Sequence, residues 1–346
     1  MNKRSAMNWP FLVWVLIICA FAGLRILFPD GVPKLESEPS EHNSKPEFEV
    51  FISQSSLQAS GSARDYRTST STINGIIDIC RNADDALFCT SAADIVSKPS
   101  GQVLSQAFYL DPVIVVGSQD ENGMLLVELP AQRGYRGYLR ANEVAGCDQI
   151  LPIQLAVVKS LNTWVRDART GEESKILQLG AIVPVLGAGG DEIQISAFND
   201  TYWVSSESLY RISDGRKPKG DEIVQTAERF LGHPFLSGGN SYGGFDSGGF
   251  VYFVYRLNGV FLYRTPAEQL ADAEFYDINA ESIGTGDLVF RTFKSGAVEV
   301  GILSSSDVVI YASATKGVVE EQIDNSPFAP IGSAKIKRFR GLEINN

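Results

Sequence analysis

The chain has 346 residues, 44% of them hydrophobic and 21% charged, with a formal net charge of −11 and a pI near 4.8. That is room for two or three domains, each with its own core. The acidic balance excludes a nucleic-acid-binding surface, which demands clustered basic residues, and disfavours tight docking on anionic lipid or polyanionic wall polymers.

Lys3 and Arg4 precede an apolar run from Trp9 to Phe28, interrupted by Pro10 near its start and Arg25 near its end. Its length is about what a hydrocarbon core requires. The basic flank predicts a signal anchor over residues 1–29, a transmembrane helix with its N-terminus inside and everything after residue 30 outside the cytoplasm. A rival reading is a cleaved signal, because Ala20-Phe21-Ala22 before Gly23 has the small-x-small form of a cleavage site. Residues 30–73, rich in Pro, Ser, Glu and Asn, read as a flexible tether, with one apolar island at Phe48–Ile52. Of four cysteines (Cys19, Cys80, Cys89 and Cys147), none lies in a C-x-x-C pair or beside a histidine, so neither metal nor cofactor is predicted. Cys80 and Cys89 either pair as a disulfide or, with Cys147, act as small buried apolar residues.

From residue 74 the pattern changes to short β segments. Phe108-Tyr109-Leu110, Val113–Val116, Met124–Leu129 and Gly137-Tyr138-Leu139 are followed by the turn Arg140–Val144. A second series has Ala156-Val157-Val158, Trp164-Val165-Arg166, Ala181–Leu186, Glu192–Ile195 and Thr201–Val204, closing on Ser205–Leu209. Both series resemble bacterial SH3-like barrels, which finish on Gly-Trp/Tyr-Val/Leu and a 3₁₀ turn. The resemblance implies tandem all-β barrels over 74–149 and 150–214. Trp164, Trp203 and Tyr138 are either ligand-facing or part of the barrels' cores and closing turns.

After the linker Gly215–Gly220, Asp221 is the expected N-cap of a helix whose apolar face holds Ile223, Ala227, Phe230 and Leu231. A Gly-rich loop (Gly238, Gly239, Gly243, Gly244) then leads through Phe245-Asp246-Ser247-Gly248-Gly249 into a helical stretch, Phe250–Tyr255, and a third helix follows over Thr265–Ala273. The unpaired N–H groups of a helix N-terminus suit a nucleophile on the first turn. Strands follow at Asp287–Arg291, Ala297–Ser304, Val308–Ala312 and Ala334–Arg340, an α+β order.

This segment resembles the NlpC/P60 family of cell-wall cysteine peptidases. The family's Asp-Cys-Ser-Gly-Phe stands here as Asp246-Ser247-Gly248-Gly249-Phe250, and its Pro-Arg-Thr-Ser-x-x-Gln as Tyr263–Gln269. Its Gly-Asp-Leu-Val-Phe is kept at Gly286–Phe290, and its His-Val-Gly-Ile becomes Glu299-Val300-Gly301-Ile302. A third polar residue, usually His, is Tyr311; the family's Pro-Tyr-x-Trp-Gly-Gly is Pro234–Gly239, with Phe235 for the tyrosine. The resemblance implies a papain-like α+β domain over 221–346, with Ser247 at the nucleophile position, Glu299 at that of the base and Tyr311 at the third.

The chain has two histidines, His42 in the tether and His233 at a variable loop position. An unperturbed glutamate, with a pKa of about 4.3, is a poor base for an alcohol. Losing the nucleophile or base of such a triad costs on the order of a million-fold in rate. Two classes of function stay open. The first is a pseudoenzyme whose groove (Asp246, Ser247, Arg264, Glu299, Tyr311) binds peptidoglycan stem peptides or an envelope protein, the N-terminal helix holding it to the bacterial inner membrane. The second is an endopeptidase acting through an unusual Ser247 site. A structural envelope scaffold is a further non-catalytic option. Arg264 and Gln269 read as either structural pins or binding residues, and Asp246 as holding the turn.

Overall fold

The computed structural model describes residues 92–97, 101–146, 154–198, 200–212 and 217–343, together with the backbone of 86–89. The run Trp9–Phe28, the tether with His42, and Cys19, Cys80 and Cys147 lie outside them. Among the described residues no helix is long and apolar enough to cross a membrane.

Seven short strands build the first β domain: β1 (Ala86–Cys89), β2 (Ala93–Val96), β3 (Val103–Ala107), β4 (Pro112–Val115), β5 (Met124–Leu129), β6 (Tyr135–Arg140) and β7 (Val144–Gly146). Leu125, Val127 and Leu129 alternate inward along β5 to meet Ile95, Val113 and Leu139 in the core, as a pleat of period two requires. The second domain has β8 (Gln154–Val158), β9 (Thr163–Asp167), β10 (Glu173–Leu177), β11 (Ile182–Gly189), β12 (Glu192–Ala197), β13 (Asp200–Ser205) and β14 (Leu209–Arg211). Strand order is β3-β2-β6-β5-β4-β1-β7 in the first sheet and β10-β9-β13-β12-β11-β8-β14 in the second, the same order shifted by seven.

One expected strand fails. Phe108-Tyr109-Leu110 is a turn, with Leu110 at φ 60. Asp111 closes it, its N–H donating to Phe108 O at 2.9 Å and its Oδ2 accepting the Phe108 N–H at 3.0 Å. The apolar run is explained by packing elsewhere: Phe108 stacks on Phe253 of the third domain, ring centroids 5.5 Å apart.

The third domain opens with α1 (Gly220–Glu228), whose N-cap is Lys219 rather than Asp221. Asp221 lies in the first turn and accepts from Thr285 Oγ1 at 2.9 Å. Ile223, Ala227 and Phe230 are buried as their spacing predicts, but Leu231 lies beyond the helix and is exposed. A small ribbon, β15 (Asn240–Ser241) and β16 (Gly244–Phe245), precedes α2 (Ser247–Leu257) and α3 (Pro266–Ala271). The remaining strands are β17 (Phe275–Asp277), β18 (Leu288–Thr292), β19 (Val298–Leu303), β20 (Val308–Ser313), β21 (Gly317–Gln322) and β22 (Lys335–Phe339). They form an antiparallel sheet in the order β17-β22-β18-β19-β20-β21.

Helix α2 is apolar on nearly every side, the pattern of a fully enclosed helix. Phe250 and Val254 pack with Val300, Ile302 and Ile310 of the sheet, in a core that also takes in Phe108 and Val157 of the β domains. Near its end Arg256 is fully buried and grips Asp111 with both terminal nitrogens, its Nε donating to Gly180 O at 2.7 Å. A second buried pair, Arg133 with Asp272, joins the first β domain to the chain after α3. Removing one partner of such a pair strands an uncompensated charge. Asp111→Ala is expected to lower the unfolding free energy by about 3–5 kcal/mol, with Asp111→Ala/Arg256→Met recovering much of the loss in urea melts. Equal losses in both variants would show that stranded charge is not the cause.

Candidate functional site

Asp246 sets the site. As N-cap of α2 its Oδ1 accepts the Gly249 N–H at 2.7 Å, and its Oδ2 accepts the Gly238 N–H at 3.0 Å. Arg264 closes on it bidentately, Nη1 to Oδ1 at 2.9 Å and Nη2 to Oδ2 at 2.7 Å. The approach loop packs so tightly here that a Cβ at Gly249 would stand 2.0 Å from Gly239 O. Arg264 is 2% exposed, with Nε donating to Ser105 Oγ of β3 at 3.1 Å. The geometry thus makes Arg264 a pin beneath the loop rather than the border of an open groove. Gln269 is likewise buried, donating to Gly248 O at 3.1 Å and Tyr263 O at 2.8 Å.

Ser247 follows as the first residue of α2. The ladder between β19 and β20 pairs Ile302 with Ile310 and Leu303 with Val309, leaving the first half of β19 without β20 as a partner. The Ser247 hydroxyl fills that gap. The Val300 N–H donates to Oγ at 2.9 Å, and Oγ–H donates to Val300 O at 3.2 Å. Its proton points at a backbone carbonyl, not at a base.

Glu299 precedes Val300, and strand alternation puts it on the sheet face of Leu303, opposite that of Val300. It is half-buried and has no hydrogen-bond or ion-pair partner among the described residues. Its cross-strand neighbour Arg291 bonds to Ser333 instead. Burial alone pushes the Glu299 carboxyl above its ordinary pKa. Tyr311 lies beside it, buried against Phe328 and donating to Glu321 Oε2 at 2.8 Å; Lys316 Nζ holds the other oxygen of Glu321 at 2.5 Å. Burial first, then Glu321 and the charge of Glu299, push the Tyr311 phenol upward. The three positions therefore meet around β19, but no hydrogen bond links Ser247, Glu299 and Tyr311. His233 stands apart, its Nδ1 at 3.0 Å from Phe230 O and its ring edge-on to Tyr242 and Phe230.

Sequence reasoning missed what the first β domain contributes. The Gln106 N–H donates to Asn240 Oδ1 at 2.7 Å, Asn240 Nδ2 returns to Gln106 O at 3.1 Å, and Ser241 Oγ donates to Gln106 Oε1 at 2.7 Å. These partners lie more than 130 residues apart in the chain, and no local pattern announces them.

Ser247 thus opens a buried helix that packs its side along an antiparallel sheet and bonds to β19 at its first residue. Residues 232–332 are an NlpC/P60 family domain. The chain is 25% identical over 202 residues to the gamma-D-glutamyl-L-lysine dipeptidyl-peptidase of Bacillus subtilis (strain 168), covering 56% of this chain and 66% of that protein. It is 33% identical over 126 residues to the gamma-DL-glutamyl hydrolase of the same organism, covering 35% of this chain and 30% of that one. It thus spans just under two thirds of the first relative and under a third of the second. The crystal structure of an NlpC/P60 family protein from Bacillus cereus ATCC 10987 superposes with a TM-score of 0.62 at 18% identity, covering 74% of this chain and 99% of that one, a likeness of fold.

Two outcomes test the site's energetics. Ser247→Ala leaves both backbone groups of Val300 without their partner, and is expected to cost about 1–3 kcal/mol of stability. A carboxyl whose folded pKa lies above its unfolded value of about 4.3 binds more protons in the folded state, so its ionisation weakens the fold as pH rises. Glu299→Gln should therefore be more stable than the parent at pH 7, the advantage closing below about pH 4. A variant less stable at pH 7 would mean that a cation holds the carboxylate.

Proposed function

We propose that the protein is an exported, membrane-anchored NlpC/P60 pseudoenzyme, in which two SH3-like barrels and the third domain bind peptidoglycan stem peptides or an envelope protein without cleaving them. The observation that carries this reading is the Ser247 hydroxyl, bonded in both directions to the Val300 backbone. A serine nucleophile needs a base in hydrogen-bond reach to take its proton. The one histidine among the described residues, His233, is tied to Phe230 O inside an aromatic cluster. Export and anchoring rest on Lys3, Arg4 and the apolar run after them. The relatives' names, built on γ-glutamyl bonds, point to a peptide containing that linkage as ligand. Glu299, half-buried and without a hydrogen-bond or ion-pair partner among the described residues, suits the amine of such a peptide.

A second reading, hydrolysis through Ser247, draws on the raised pKa of Glu299, which brings that carboxyl nearer to a useful base. One experiment separates the two. Full-length protein in detergent is incubated with purified sacculi and with defined stem peptides bearing a free amine. Release of fragments is expected to equal that of a heat-treated control, with saturable binding that Glu299→Gln weakens by about 1.5–3 kcal/mol. Turnover abolished by Ser247→Ala would establish the hydrolase instead.

A further inference from the structure

We propose that the outer face of the first β domain carries a binding site for a small zwitterion, a free amino acid or short unblocked peptide. The site is separate from Ser247 and Glu299 and stands independently of the function proposed above. On this face Asp94 of β2 is paired across the ladder with Gln106 of β3, and Met124 of β5 with Arg140 of β6. Strands β2 and β6 meet at Val96 and Tyr138, and continuing that antiparallel register sets Asp94 across from Arg140. Gln106, Asp94, Arg140 and Met124 therefore form one row over four adjacent strands. A cavity of about 280 Å³ opens along this row, with Glu143 of the turn Ala141–Glu143 also in its lining.

The charges are arranged for a ligand carrying both signs. Asp94 and Arg140 line the same cavity on neighbouring strands, yet they form no ion pair, and the Arg140 guanidinium has no carboxylate partner among the described residues. Two opposite charges that line one cavity without pairing suit a molecule with a carboxylate for the guanidinium and an ammonium for the acid. Glu143 adds a second carboxylate to the lining, its Oε2 accepting the Arg140 backbone N–H at 3.2 Å. Buried Met124 supplies an apolar floor for a short side chain. The volume lies just below the range of about 300–1,000 Å³ that suits drug-sized ligands, which fits an amino acid or dipeptide. Gln106 joins the cavity to the peptidase-type domain: its Nε2 donates to Asp94 Oδ1 at 3.1 Å, while its Oε1 accepts from Ser241 Oγ at 2.7 Å. A ligand on Asp94 is thus one side chain away from the approach loop.

Isothermal titration of the full-length protein in detergent, with alanine and dialanine of both chiralities as probes, tests the site. Saturable binding of at least one unblocked probe is expected, weakened about ten-fold or more by N-acetylation, by C-amidation, by Arg140→Gln and by Asp94→Asn. The titration is run on the Glu299→Gln background, so that amine binding at Glu299 takes no part in the signal. Arg140 and Asp94 are exposed, so neither substitution should unfold the domain. The proposal is overturned if no unblocked probe binds the Glu299→Gln protein saturably, or if binding to it ignores both Arg140→Gln and Asp94→Asn.

Discussion

The bidentate pairing of Arg264 with Asp246 is the constraint on which the rest of the site depends. Burying a guanidinium and much of a carboxylate is costly unless their hydrogen-bonding groups find partners. Here Asp246 accepts two backbone N–H groups besides Arg264, and Arg264 reaches on to Ser105. The same few atoms therefore cap α2, fold the Gly-rich loop over it and tie both to the first β domain. Only with α2 fixed at that end does Ser247 fall where β19 parts from β20. The opposite end of α2 is fixed by Arg256 and Asp111, so the helix runs between two ion pairs. The first β domain is accordingly part of the third domain's core, not an appendage.

What the sequence made legible was whatever depends on neighbours in the chain. The turn Asp246–Gly249, the helix after it and the strand containing Glu299 could all be placed from local pattern. So could the closing segments around Tyr138 and Trp203, which lie on β6 and β13, equivalent strands of two sheets with one topology. The misreadings came where a residue answers to a distant partner. Phe108 and Tyr109 looked like strand because they are aromatic, but their burial is against Phe253 and Phe198. Asp221 looked like a cap because it opens an apolar repeat, but Thr285 claims its carboxylate and Lys219 takes the cap position. Arg264 suited a groove by its motif position, and its commitment to Asp246 and Ser105 appears only in three dimensions. β2 and β21 were not anticipated: Ala93–Val96 is too short to show a period, and Gly317–Gln322 has two adjacent glutamates.

The residues at positions 247, 299 and 311 each answer to their own surroundings. A hydroxyl at 247 can both donate and accept, and it uses both capacities to complete a strand that would otherwise leave Val300 unpaired. A phenol at 311 combines an apolar body, packed on Phe328, with a donor that Glu321 accepts and Lys316 secures. Each suits a structural task and neither relays a proton to its neighbour. Glu299 differs. Of the three it alone lacks a partner among the described residues, and its half-burial weakens rather than supports the fold while the carboxyl is ionised. Leaving a carboxylate in that condition is unfavourable until a cation arrives, and the desolvation that makes it unfavourable also strengthens its attraction for one. Of the three, Glu299 is thus the side chain that would gain most from a bound cation, which is the physical argument behind the recognition role proposed above.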